Sequence, residues 1–247
     1  MIPLSKIKAK YIKSLQLKKF RDREKLFIVE GRKSVMEFIN SDLDLELLAG
    51  TEEFYQDNLK LTDKPNYFLV GEKELSGLGS LKKNNAAIGV FSKPEVSKPD
   101  PSGDGVWLAL DGINDPGNLG TIIRTADWFG IQGVILNDES VDVYNPKVIS
   151  ASKGSLSRIK VYQHALPSFL KHYQHEVIAA DMTGTNLAKS EPLENGLIIM
   201  GNESHGISTE VASYITRRVT IPALGKAESL NVGVATGIVC YQLLAKY

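Results

Sequence analysis

Six short apolar runs punctuate the second half of the chain, and that rhythm limits the fold more than any other feature. VWLALD (106–111), GVILN (133–137), RIKVYQ (158–163), EVIAADM (176–182), GLIIMG (196–201) and VTIPA (219–223) are each five to seven residues long and rich in aliphatic side chains. Runs this short and this continuously apolar suit strands covered on both faces. Helical stretches separate several of them; Leu119–Phe129, for one, places Ile122, Ile123 and Ala126 on its inner side. Strands alternating with helices predict a mostly parallel sheet with helices on both faces, an α/β fold.

Ser92–Gly105, SKPEVSKPDPSGDG, interrupts this pattern with three prolines, two glycines and no apolar periodicity. It reads as a linker. The expected organisation is therefore a small domain over residues 1–93, a linker over 94–105 and a larger domain over 106–247. The small domain also alternates. A basic helix is expected from Leu4 to about Lys19, with Leu4, Ile7, Tyr11, Leu15 and Lys18 along one face. LFIVEG then reads as a strand, a helix follows Gly31 with Val35, Met36 and Ile39 on one face, and LDLELLAG, NYFLVG and AAIGVFS are further strands.

Formal net charge is zero, but it is unevenly spread. Residues 1–33 hold 11 Lys and Arg against three Asp and Glu, a local charge of +8, so the remainder carries −8. A basic segment on an otherwise acidic chain suits phosphate contact, because neutralised phosphates release counterions. Cys240 is the only cysteine, which excludes an intrachain disulfide and favours a reducing cytoplasm. No stretch approaches the length of a membrane span, and the first residues lack the apolar core of a signal peptide.

Three segments carry candidate chemistry. DGINDPGNLGTIIRTADWFG (111–130) is a strand end, a turn and a helix, with Asn118 expected as the N-cap and Arg124 expected to reach a cleft at the strand's carboxyl edge. LIIMGNESHGIS (197–208) runs from an apolar strand into a turn at Gly201, Asn202 and Glu203, where Glu203 is a functional carboxylate or a helix cap. VTIPALGKAESLNVGVATGIVCYQLLAKY (219–247) joins a strand through a glycine-bearing loop to Ser229 and Asn231, at the mouth of a helix. From Leu230 to Ala245 there is no charge at all. A helix apolar on every side must be covered on every side, which suggests a subunit interface, with a tightly packed monomer core as the alternative.

Together, DPGNLGTIIRTADWFG (115–130), GNESHGIS (201–208) and IPALGKAESLNVGVATGI (221–238) resemble, in order and spacing, the three motifs of the SpoU/TrmH family of RNA ribose methyltransferases, within the SPOUT superfamily. FIVEGRKSVMEF (27–38) resembles the substrate-binding domain often found ahead of that catalytic domain. Gly233 departs from the pattern, since many members carry Ser there. The resemblance implies a SPOUT-type α/β knot, with a mostly parallel sheet and a C-terminal trefoil knot, behind a small α/β RNA-binding domain. It implies S-adenosylmethionine as cofactor, a homodimer formed through the C-terminal helix and knot, active sites that borrow residues from both chains, and no metal.

By the same resemblance, the catalytic group comprises Arg124, Asn118, Glu203, Ser229 and Asn231. Met200, Gly201, Ile221, Leu224, Gly225, Ser229 and Leu230 hold the cofactor. The reaction implied is methylation of a ribose 2'-hydroxyl, in ribosomal RNA ahead of transfer RNA. The family's proposed base matches Arg124, but a guanidinium is very hard to deprotonate, so an orienting contact to an RNA phosphate is the easier role. A catalytically silent RNA-binding or ribosome-assembly factor is the alternative. A dinucleotide-binding reading fails on the spacing of Gly112, Gly117 and Gly120. A metal site at His172, His175 and Glu176 lacks further ligands at suitable spacing.

Overall fold

The computed structural model of the protein describes residues 2–61, 66–95 and 97–245. In chain order the elements are β1 (Ile2–Pro3), α1 (Lys6–Ser14), α2 (Lys18–Glu24), β2 (Leu26–Glu30), α3 (Arg32–Ile39), β3 (Leu45–Gly50), α4 (Glu52–Gln56), β4 (Tyr67–Leu69), α5 (Glu72–Leu78) and β5 (Ala87–Ser92). There follow β6 (Val106–Asp111), α6 (Pro116–Trp128), β7 (Gly133–Leu136), α7 (Pro146–Ser152), β8 (Val161–Gln163), α8 (Leu166–Leu170), β9 (Glu176–Asn186), β10 (Gly196–Gly201), α9 (Thr209–Ala212), β11 (Arg217–Thr220) and α10 (Val232–Leu244). They form two compact units. The first takes residues 1–95 together with 142–157; the second takes 96–141 and 158–247.

The first unit is built on a five-stranded mixed sheet in the order β1-β4-β3-β5-β2. Its core gathers Ile12, Leu15, Ile28, Leu75, Ile88 and Val90. The basic N-terminal stretch is two helices rather than one, because the chain leaves helical geometry between Ser14 and Lys18. The buried face also differs from the expected one. Ala9, Ile12 and Leu15 pack inward, and Ile7 is 83% exposed. Residues 142–157 were expected in a continuous domain over 106–247, but they lie with this first unit. The reason is physical: the segment carries the partner of a buried cation. Arg21, among the largest fully buried side chains, is held by Asp142 Oδ2 at 2.5 Å and by the carbonyls of Leu15 and Gln16 at 3.0 and 2.7 Å. Tyr144 packs against Phe27 with 4.8 Å between ring centroids, and burial pushes its hydroxyl pKa up to about 12.

The second unit is a six-stranded sheet, β11-β9-β10-β6-β7-β8, and every pairing in it is parallel. β6 and β10 are buried along nearly their whole length, as runs with no polar alternation require. The strand order reverses at β6: β7 and β8 are laid down on one side, β10, β9 and β11 on the other. A reversal of this kind opens a crevice at the carboxyl ends of the strands, where open α/β sheets bind ligands. β9 meets β11 with a break in register, Arg218 pairing with Ala179 but Val219 with Thr185. The backbones come so close there that a Cβ on Gly184 would lie 2.5 Å from the Val219 main chain. After β11 the chain turns back, and α10 lies beside α6.

Candidate active site

The crevice is built by the turns that leave β6, β10 and β11. After β6, Asp115 caps α6 by accepting from the Asn118 N–H at 2.8 Å, and Pro116 occupies the first turn. Asn118 is therefore not the cap. One turn in, it is free to use both ends of its amide. Its Nδ2 donates to Glu203 Oε1 at 2.7 Å, and its Oδ1 accepts from Asn231 Nδ2 at 2.8 Å. Asn231 is also the cap of α10, its Oδ1 accepting from the N–H groups of Gly233 and Val234 at 3.0 and 3.3 Å. Three segments far apart in sequence thus meet through one side-chain amide.

The turn that carries Glu203 is fixed from within. Asn202 and Gly206 exchange backbone hydrogen bonds at 2.9 and 3.0 Å, and Asn202 Oδ1 accepts from the Ser204 and His205 N–H groups. Gly201 sits against this turn: a Cβ there would stand 2.5 Å from the Gly206 carbonyl carbon. Glu203 serves no helix as a cap. The N–H of Ser208, at the head of α9, goes instead to Asp111 Oδ2 at 2.7 Å.

Beneath the turns that follow β10 and β11 lies a cavity of about 810 Å³, within the range that takes a nucleoside-sized ligand; Asn118 does not line it and touches it only through Glu203 and Asn231. Met200, Gly201, Glu203, Ile221, Leu224, Gly225, Ser229, Leu230 and Asn231 all line it. Leu224 is fully exposed and Leu230 half exposed, apolar surface that a flat aromatic ring would cover. The backbone groups of residues 222–230 form no hydrogen bond among the described residues, and most of these residues line the cavity. Asp181 and Arg218 pair on the far wall. The Thr183 backbone N–H, then the Thr183 hydroxyl and Arg218, hold the Asp181 carboxyl below the usual range against the opposing effect of burial. The donor set and shape fit an adenosyl ligand.

Arg124 stands apart. It lies six residues beyond Asn118, about 9 Å along the helix axis, on the exposed side of α6, and does not line the cavity. Ser229 lines the cavity with its side chain unpaired among the described residues. α10 is not covered all round: Val234, Ile238 and Tyr241, spaced four and three residues apart, are 52%, 37% and 51% exposed along one stripe. Among the described residues no group of three or more His, Cys, Asp or Glu is placed to hold a metal ion, and no helix is long and apolar enough to cross a membrane.

Sequence reasoning gave no role to Asp115, Asp111 or Asn137, and placed Asn202 in its turn without a bonding role. For Asp115 the signal was present in the Asp-Pro pair, which opens helices at the cap and first position. Asp111 was marked only by its place as the sole polar residue of an apolar strand.

Comparison with known proteins places this architecture. The model of the SpoU rRNA methylase family matches residues 105–241, and that of the MRM3-like substrate binding domain matches residues 6–89. The chain is 30% identical over 243 residues, covering 96% of itself and 95% of the other chain, to the 23S rRNA (guanosine(2553)-2'-O)-methyltransferase RlmP of Bacillus subtilis. The AdoMet-bound rRNA methyltransferase of Sinorhizobium meliloti superposes with a TM-score of 0.86 at 28% identity, over 98% of this chain and 96% of that one. AviRb of Streptomyces viridochromogenes shares the fold with a TM-score of 0.85 at 22% identity, over 97% of both chains.

Proposed function

The chain belongs to the SpoU rRNA methylase family, and from that premise we propose that it methylates a ribose 2'-hydroxyl of ribosomal RNA, using S-adenosylmethionine, with guanosine as the target nucleoside. The observation that carries the reading is the Asn118 amide bonded at once to Glu203 and Asn231, on the rim of a single cavity. The guanosine assignment rests on the likeness to RlmP.

Met200, Gly201, Ile221, Leu224, Gly225, Ser229 and Leu230 would hold the cofactor, largely through main-chain groups. When bound, S-adenosylmethionine supplies an electrophilic methyl group on a sulfonium. The chain's own part is alignment, which in a positioned bimolecular reaction accounts for much of the rate. Asn118 holds Glu203 by Oε1 and leaves Oε2 unpaired among the described residues, so Oε2 can accept the hydrogen of the ribose hydroxyl and orient its oxygen. Arg124 would grip an RNA phosphate in the bidentate geometry guanidinium favours. Since Arg124 lies outside the cavity, the RNA or a second copy of the chain would complete the site around it. The exposed stripe of Val234, Ile238 and Tyr241 supports a homodimer formed through α10. The family's C-terminal knot is part of the same proposal, supported by the return of α10 to α6.

The first unit would bind the RNA, with the exposed Lys6, Lys10, Lys13, Lys18 and Lys19 meeting phosphates. The test is transfer of labelled methyl from S-adenosylmethionine to protein-free 23S RNA, with 2'-O-methyl sites mapped by resistance to alkaline cleavage. One guanosine modified at its 2'-oxygen is the expected result. No labelling, or labelling on a base, refutes the function.

A further inference from the structure

We propose that Asp111 is a positioning residue for methyl transfer, its buried carboxylate locking the turns that carry Asn118 and Glu203 into one frame; the inference rests on the function proposed above. Asp111 ends a strand whose other five residues are apolar, and it is 5% exposed. It forms no ion pair among the described residues, so its charge is balanced by dipoles alone. Oδ1 accepts from Asn137 Nδ2 at 2.8 Å and Oδ2 from the Ser208 N–H at 2.7 Å.

Each partner holds a different turn. Asn137 passes the constraint to the turn after β6, its Oδ1 accepting from the Gly112 N–H at 3.0 Å and from the Ser140 hydroxyl at 2.8 Å. Ser140 Oγ in turn accepts from the Ile113 N–H at 3.2 Å. The Gly112 carbonyl accepts from Asn202 Nδ2 at 2.6 Å, which reaches into the turn that carries Glu203. Gly112 itself has φ +79°, a left-handed conformation that glycine adopts without steric cost, with hydrogen bonds on both its N–H and its carbonyl. The Gly112 N–H is thus tied to Asp111 through Asn137, the Ile113 N–H through Ser140 and Asn137, and the Ser208 N–H directly.

A buried carboxylate without a cation is a poor source of stability, and an apolar residue would complete the strand more simply. What the carboxylate provides is two acceptors facing two donors. The polarity is strict. An amide at position 111 turns a nitrogen toward one of the two donors, and Asn137 cannot relieve this by rotating, because the Gly112 N–H already needs its oxygen.

That polarity supplies the test. In D111N, turnover on RNA should fall on the order of 100-fold, the scale of a misplacement of about 1 Å. Binding of S-adenosylhomocysteine by calorimetry should stay within about threefold, since Asp111 itself does not line the cavity. Amide exchange at Gly112, Ile113 and Ser208 should quicken. In D111N with N137D the pair is restored with its polarity reversed: the new amide accepts from Ser208 and donates to the new carboxylate, which still accepts from Gly112 and Ser140. Turnover and amide protection should both return. If D111N keeps wild-type turnover, or the double variant is folded but as slow as the single, the proposal is overturned. Should D111N fail to fold, Ser140→Ala carries the same test at smaller amplitude, and unchanged turnover there overturns it equally. Wild-type protein that neither binds the adenosyl ligand nor methylates RNA refutes the function, whereas active wild type with indifferent variants refutes only the network.

Discussion

Replacing Asp142 with alanine should loosen the first unit while leaving the second intact. Arg21 is 2% exposed and Asp142 is 13% exposed, so the pair is shielded from solvent. Without Asp142 the guanidinium keeps, among the described residues, hydrogen bonds only to the carbonyls of Leu15 and Gln16, and no carboxylate in direct contact. Removing one partner of a buried pair costs about 3–5 kcal/mol, because the survivor is left desolvated and uncompensated. With a urea dependence of about 2 kcal/mol per M for a unit of this size, the midpoint should fall by about 2 M. The two units can be followed separately. Both tryptophans, Trp107 and Trp128, lie in the second, so their emission tracks that unit alone. Amide exchange along β2 and β5 tracks the first. The exchange-detected midpoint should drop and the tryptophan-detected one should hold. A shift below about 0.5 M at β2 and β5 would refute the reasoning, as it would mean water or relaxation already screens Arg21.

Arg124→Ala should abolish methyl transfer while S-adenosylhomocysteine still binds, because Arg124 does not line the cavity; lost ligand binding in a calorimeter would contradict its assigned role. Gly201→Ala should eliminate that binding, since the added Cβ stands 2.5 Å from backbone that cannot yield without breaking the Asn202–Gly206 turn; a calorimetric affinity equal to wild type would refute it. On the proposed homodimer, Ile238→Asp in the middle of the exposed stripe should sediment as a monomer at a micromolar concentration where wild type sediments as a dimer; a wild-type monomer, or a variant dimer, would refute an interface at α10. Cys240 should resist iodoacetamide at pH 8 in the folded protein, because burial pushes its thiol up to about 12 and the reactive thiolate is scarce; rapid labelling without unfolding would contradict this.

The parallel sheet was legible because its strands announce themselves. Runs such as VWLALD and GLIIMG have no polar face and no length for a helix, and each became a buried strand. The N-terminal helices were less so. Ile7 and Ile12 are equally apolar, and only the packing of Leu15 and Ala9 against the sheet decides that Ile12 is the buried one. The three motifs meet at Asn118, Glu203 and Asn231, but the bonds between them could not be read from the string. Asn118 was assigned to a cap that Asp115 fills, and its freedom to bridge depends on that substitution. Residues 142–157 show a different limit. Nothing local distinguishes Asp142 from any other surface acid, because its partner Arg21 is 121 positions away.

If the loop over residues 222–230 meets the cofactor as proposed, through peptide groups rather than side chains, this bears on how such a protein can change over time. A hydrogen bond from a main-chain amide survives any replacement that leaves the backbone path alone, so the identities of Ala223, Leu224, Lys226 and Ala227 are free to drift while recognition is kept. Insertions, deletions and a new proline are the changes this loop cannot absorb. Ancestry should therefore be recorded there in length and in glycine placement, and searches that weigh residue identity alone will undervalue it.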